Sequence, residues 1–96
     1  MPDNAIPFDV YIPQLVPALV AGGEKVRAEQ IMDMLTARSE QMLSYYNTRP
    51  DGSLFDDDQR GYLVTLNSVA RAAELVGDKA RSQKAVALLN QFYPRQ

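Results

Sequence analysis

One stretch sets the scale of anything this chain can fold into: the 25 residues from Glu24 to about Thr48, EKVRAEQIMDMLTARSEQMLSYYNT, with neither glycine nor proline. Its apolar and small residues fall at Ala28, Ile31, Met32, Leu35, Ser39, Met42 and Tyr46. Steps of three and four place them on one stripe of a helix, with Lys25, Arg27, Glu29, Asp33 and Glu40 mostly off it. A long helix with one greasy stripe needs partners, so the remaining segments are expected to lie as shorter helices against it.

The punctuation on either side defines those segments. Gly22-Gly23 leaves only a tight turn before Glu24, which forces the preceding helix to fold back as a hairpin. That first helix is expected from about Val10 to Ala21, with Ile12, Leu15, Val16, Leu19 and Val20 as its apolar residues. Pro13 suits its first turn, and Pro17 costs a backbone bond one turn later. Residues 1–9, with Pro2, Asp3, Asn4 and Pro7, read as an extended lead-in.

Beyond Thr48, RPDGSLF is a loop built on Pro50 and Asp51-Gly52. A third helix follows Asp56, Asp57 and Asp58, carrying Leu63, Leu66, Val69, Ala70, Ala73 and Val76 inward; acids favour the positive end of a helix dipole. Gly77-Asp78 closes it and opens a fourth helix, with Asp78 as N-cap and Ser82, Ala85, Val86, Leu89 and Phe92 on one side, ending before Pro94. No segment alternates as a strand. The expectation is an all-α single domain over 1–96, four helices in two antiparallel hairpins at about 10–48 and 56–93.

Composition narrows function mainly by exclusion. With no cysteine and no histidine, thiol chemistry, disulfides, His/Cys zinc sites and the commonest general base are ruled out. A net charge of −2 without a basic cluster argues against nucleic acid, which requires a positive face. No apolar run approaches the ~18 residues of a membrane span. No catalytic residue, cofactor site or metal site is expected.

Four groups of residues nonetheless invite a chemical reading. Asp56, Asp58 and Gly61 match positions 1, 3 and 6 of a calcium loop, but Arg60 and Asn67 occupy positions where oxygen ligands and a bidentate glutamate belong, so helix capping is the stronger reading. Tyr45 and Tyr46, with Tyr11 and Tyr62, suggest an aromatic platform, or simply a core rim with wet hydroxyls. Met32, Met34 and Met42 suggest an adaptable surface, or core filler. Arg71, Arg81 and Lys84 suggest an anion site, or a solvated face.

The two hairpin turns resemble each other. Gly23-Glu24-Lys25-Val26-Arg27-Ala28 aligns with Gly77-Asp78-Lys79-Ala80-Arg81-Ser82, an offset of 77 − 23 = 54 positions. A glycine between helices and a small residue five positions on resemble the turn of a tetratricopeptide repeat, with Pro94 where such a repeat places its closing proline. The offset exceeds the ~34 of a regular array, because the second helix is long and a loop follows it. An unrelated four-helix bundle is the alternative.

A more specific resemblance covers essentially the whole chain. The opening MP-x-x-x-I-P-F-D-V-Y with Pro13, then Gly23-Glu24-Lys25-x-x-Ala28, Leu43-Ser44-Tyr45-Tyr46, and Gly77-Asp78 through Leu88-Leu89-Asn90-Gln91-Phe92-Tyr93 are similar to the C-terminal tetratricopeptide-like module of a family of bacterial multi-pass membrane proteins. The membrane region of that family is glycosyltransferase-like and related to protein O-mannosyltransferases. The resemblance implies that the chain is the C-terminal piece of a longer protein, with Met1-Pro2 closing a preceding repeat. Sugar transfer would then reside in the membrane part, and the tail would lie on the extracytoplasmic side of the inner membrane. Its partners would be its own upstream repeats or another protein. A free-standing cytoplasmic adaptor and a small ligand-binding or enzymatic bundle are the competing functions.

An excised repeat leaves one face uncovered. The lead-in and the flank Ile12, Val16 and Val20, with Tyr45 and Tyr62, are the expected contact surface, and self-association there is anticipated.

Overall fold

A computed structural model of the chain describes residues 6–47 and 57–92, with side chains described for 12–45 and 60–92. Four helices make up the described fold: α1 (Ile6–Ala21), α2 (Lys25–Asn47), α3 (Asp57–Leu75) and α4 (Lys79–Phe92). There is no strand among the described residues. The all-α expectation and its two hairpins hold.

α1 begins four residues before the expected Val10. Pro7 occupies its first turn, where a missing N–H has no partner to lose, so this proline starts the helix rather than delaying it. Pro13 is consequently not a first-turn residue. It and Pro17 both lie inside α1, leaving the carbonyls of residues 9 and 13 without their i+4 donors. The burial of the surrounding apolar residues offsets that loss.

Both hairpin turns are closed by the same device. Gly23 and Gly77 have φ of 84° and 78°, a left-handed conformation that a side chain disfavours. At the first turn the Glu24 N–H donates to the Leu19 carbonyl (2.8 Å) and the Gly23 N–H to the Val20 carbonyl (3.1 Å). At the second the Asp78 N–H donates to Ala73 (2.8 Å) and the Gly77 N–H to Glu74 (3.1 Å). These paired bonds satisfy carbonyls that a helix end otherwise leaves open, and they are the Schellman pattern twice over. Asp78 then caps α4, its Oδ1 accepting the Arg81 backbone N–H at 3.1 Å.

The centre of the molecule is α3 and not the long α2. α3 packs against all three other helices, α2 also touches α1 and α4, and α1 and α4 are not neighbours. Hairpin two therefore sits on hairpin one, with α3 seated across α1 and α2 and α4 reaching α2. Small residues make this possible, because Ala70, Ala72 and Ala73 on α3, Ala28 on α2 and Ala85 on α4 are all buried and let helix backbones approach closely. The apolar count of α2 overstated its role, since alanines carry a packing interface without looking like a hydrophobic stripe.

Two clusters form the core. Toward the turns, Ile12, Val16, Ala28, Met32 and Leu35 pack with Val69, Ala72 and Ala73. Toward the far end, Leu43, Leu63, Leu66, Leu88 and Phe92 pack together. The expected α2 stripe is largely the buried one, extended by Thr36 and Leu43. On α4, Leu88 is buried where Val86 was expected, and Val86 is exposed. Buried Thr65 donates its hydroxyl to the Gly61 carbonyl at 3.0 Å, which keeps a polar atom satisfied inside the stack.

Candidate functional site

The residues expected to form a contact surface are not one surface. Ile12 and Val16 are 0% exposed, because α3 covers that flank of α1 and makes it core. Val20 is half-buried against the same cluster. Tyr62 is half-buried beside the far cluster, and Tyr45 stands out at 61% exposed. The side chains of Tyr11 and Tyr46, the acids Asp56–Asp58 and Pro94 lie outside the described side chains. α3 nevertheless begins at Asp57, so from there onward the stretch that mimics a calcium loop is helical backbone. Among the methionines, Met32 is core, Met42 half-buried and Met34 exposed.

The basic trio also separates. Arg71 is exposed on α3 and lines a groove toward α4, Lys84 is exposed on α4, and Arg81 is committed to carboxylates. Its Nε and Nη2 donate to the two oxygens of Asp33 at 2.8 and 2.9 Å, a bidentate fork reaching from α4 to α2. Nη1 donates to Asp78 Oδ2 at 2.9 Å and lies 3.7 Å from Glu29 Oε2, while Lys25 approaches the same glutamate oxygen at 4.0 Å. Arg81 is therefore neutralised and is not available to an anion.

The electrostatics follow from that fork. The hydrogen bond from Arg81 holds the Asp33 carboxyl below the ordinary carboxylate value. Burial pushes Asp78 upward, but the side-chain and backbone hydrogen bonds from Arg81 outweigh it and leave Asp78 lowered. Asp33 and then Asp78 hold the guanidinium proton more firmly than usual. Sequence reading missed this cluster because its partners lie 48 residues apart. The available signal was local: Asp78 and Arg81 have the spacing of a capping residue and its third helical position.

Two surface features remain. The cleft between the hairpin turns brings Lys25, Glu29 and Met32 against Asp78, Lys79 and Arg81; Arg81 meets Asp78 and approaches Glu29, which Lys25 also approaches, and this ties the hairpins together. The second is the groove between α3 and α4, with Ala70, Leu75, Ser82 and Val86 along it and Arg71 and Glu74 at its rim. Leu75 is 60% and Val86 43% exposed. The groove mixes the apolar Ala70, Leu75 and Val86 with Asn67, Ser82, Arg71 and Glu74, and exposed apolar side chains in such a setting mark a candidate contact surface. Among the described residues, no cluster of acids is placed to hold a metal, and no helix is long and apolar enough to cross a membrane.

No protein-family model, curated protein or solved structure matches the chain.

Proposed function

We propose that this chain is a non-catalytic helical-repeat module that makes protein contacts, built as a tetratricopeptide-like stack. It serves as the soluble C-terminal tail of a bacterial membrane protein of glycosyltransferase-like type. The observation that carries the contact reading is the open groove between α3 and α4, where Leu75 and Val86 stay exposed between charged rims. The packing order supports a repeat stack over an up-and-down bundle: α3 seats on α1 and α2 and pairs with α4, α4 also meets α2, and α1 and α4 stay apart. A four-helix bundle of up-and-down type brings its first and last helices together. The duplicated Gly23 and Gly77 turns support the same reading, since each repeat of such an array is one hairpin.

In this reading the chain contributes surface and rigidity, and any sugar transfer belongs to the membrane-embedded part of the parent protein. The test of the tail assignment is genetic. An open frame running in phase upstream of the Met1 codon, through further helical hairpins and apolar spans, is the expected result. A stop codon and ribosome-binding site immediately ahead of Met1 would refute the tail and leave a free-standing adaptor.

A further inference from the structure

The intramolecular contact between the hairpins has two halves, and the chain carries a second, partly open copy of each. In hairpin one, Val16, Ala28 and Met32 form the socket under α3, at 0%, 0% and 1% exposed. The 54-residue offset that superposes Gly23 on Gly77 carries them to Ala70, Ser82 and Val86. Those three residues all line the open α3/α4 groove. Hairpin two thus repeats the socket that hairpin one uses to hold α3, with nothing of the described chain seated in it.

The plug is repeated as well. On α3, Val69, Ala72 and Ala73 are fully buried in the cluster that includes Ile12, Val16, Ala28 and Met32. The same offset carries them back to Leu15, Ala18 and Leu19 on α1. Ala18 is exposed, Leu15 is half-buried, and Leu19 is half-buried with one side against the chain's own core. From Val10 to Ala21 there is no charged residue, although among the described helices α1 lies at the edge of the stack, with neighbours in α2 and α3 alone. An edge helix facing water alone ordinarily carries charges on its outer face.

We propose that the chain self-associates head to tail, the outer face of α1 in one copy seating in the α3/α4 groove of the next as α3 seats on hairpin one. This rests on the reading of the chain as a stack of hairpins, but not on the tail assignment, in which an upstream hairpin would cover the same face of α1, and it names the partner of the open groove as a second copy. Plug and socket are different surfaces, so the contact is heterologous and does not close on itself; it propagates. The uncharged plug meets no like charge at the Arg71 and Glu74 rim.

The experiment is sedimentation of the 96-residue chain from about 10 μM to about 1 mM, the affinity range suited to a contact smaller than ~1,200 Å². The weight-average mass is expected to rise from 10.7 kDa past two chains. Ala18→Glu removes the plug and Val86→Glu the socket, and each variant alone is expected to stay at the monomer mass. Their equimolar mixture is expected to reach two chains and stop, because one intact plug meets one intact socket.

A wild type that stays monomeric at ~1 mM overturns the proposal, as does a mixture that remains at monomer mass. Continued self-association of Val86→Glu overturns it too, since that is face-to-face pairing of α1. A second measurement does not depend on those variants folding. The chain has no cysteine, so Ala18→Cys and Val86→Cys chains should crosslink with a short bis-maleimide when mixed and not when alone. Equal crosslinking in Ala18→Cys alone would refute the geometry. Failure here leaves the tail assignment to its own genetic test, because the upstream reading frame is independent of self-assembly.

Discussion

Replacing Arg81 by methionine removes the fork while keeping much of the apolar stem. Two of the lost hydrogen bonds go to Asp33, which is 59% exposed, so water screens that pair and it contributes about 0.5–1 kcal/mol. The third goes to Asp78, which is 17% exposed, and its loss also loosens the carboxylate that caps α4, adding about 0.5–1 kcal/mol. The total of about 1–2 kcal/mol is a substantial part of the ~5–14 kcal/mol expected of a domain this size, and corresponds to a fall in Tm of roughly 4–16 °C.

A double-mutant cycle of Arg81→Met and Asp33→Asn, followed by urea denaturation, isolates the bond between α4 and α2. Its expected coupling is about 0.5–1 kcal/mol. The pH dependence has a definite sign. Asp33 and Asp78 have folded pKa values below the ordinary 3.8, so the unfolded chain binds more protons in that window and stability rises with pH. Their contribution is complete above the unfolded value and is lost as pH falls through the lowered folded values, below about pH 4. Arg81→Met should therefore lose less stability than wild type between pH 5 and pH 2, roughly the span over which such carboxylates titrate. A coupling under ~0.2 kcal/mol, or an acid-side slope equal to that of wild type, refutes the account.

Three further outcomes are expected. Gly23→Ala and Gly77→Ala each cost roughly 1–2 kcal/mol by thermal denaturation; an added Cβ meets nothing within 4 Å at either glycine, so the cost is the positive φ alone, and a neutral effect at both would refute that assignment. Leu66→Ala, at a fully buried site in the far cluster, should destabilise by about 2–5 kcal/mol in urea, whereas a loss under ~1 kcal/mol would place Leu66 outside the core. Tyr45→Ser on the exposed face of α2 should shift stability by no more than ~0.5 kcal/mol; a larger change in the isolated monomer would show that Tyr45 supports the fold.

Local chemistry made the helices legible. Gly23 and Gly77 mark turns because they accept a left-handed backbone, Asp78 marks a helix start because its side chain satisfies a free N–H, and the steps of three and four on α2 expose its inward face. These are interactions between residues a few positions apart, which a sequence displays directly. Pro7 was the local exception: a proline in a first turn and a proline in an extended lead-in look alike until the helix behind it is seen.

What only the tertiary structure decided is which face meets which. Periodicity identified Ile12 and Val16 as apolar but not that α3 covers them, so the expected open flank is core. It ranked the long α2 above α3, although both touch every other helix and the alanines of α3 let it pack more extensively. It left Arg81 looking like one of three available cations, when its partners wait on α2. The four helices and their turns were thus determined by the sequence itself, through backbone conformations and hydrogen bonds made nearby. Their order of packing, the Arg81 fork and the α3/α4 groove arise from contacts between distant residues, which depend on side-chain size and on how closely two backbones approach.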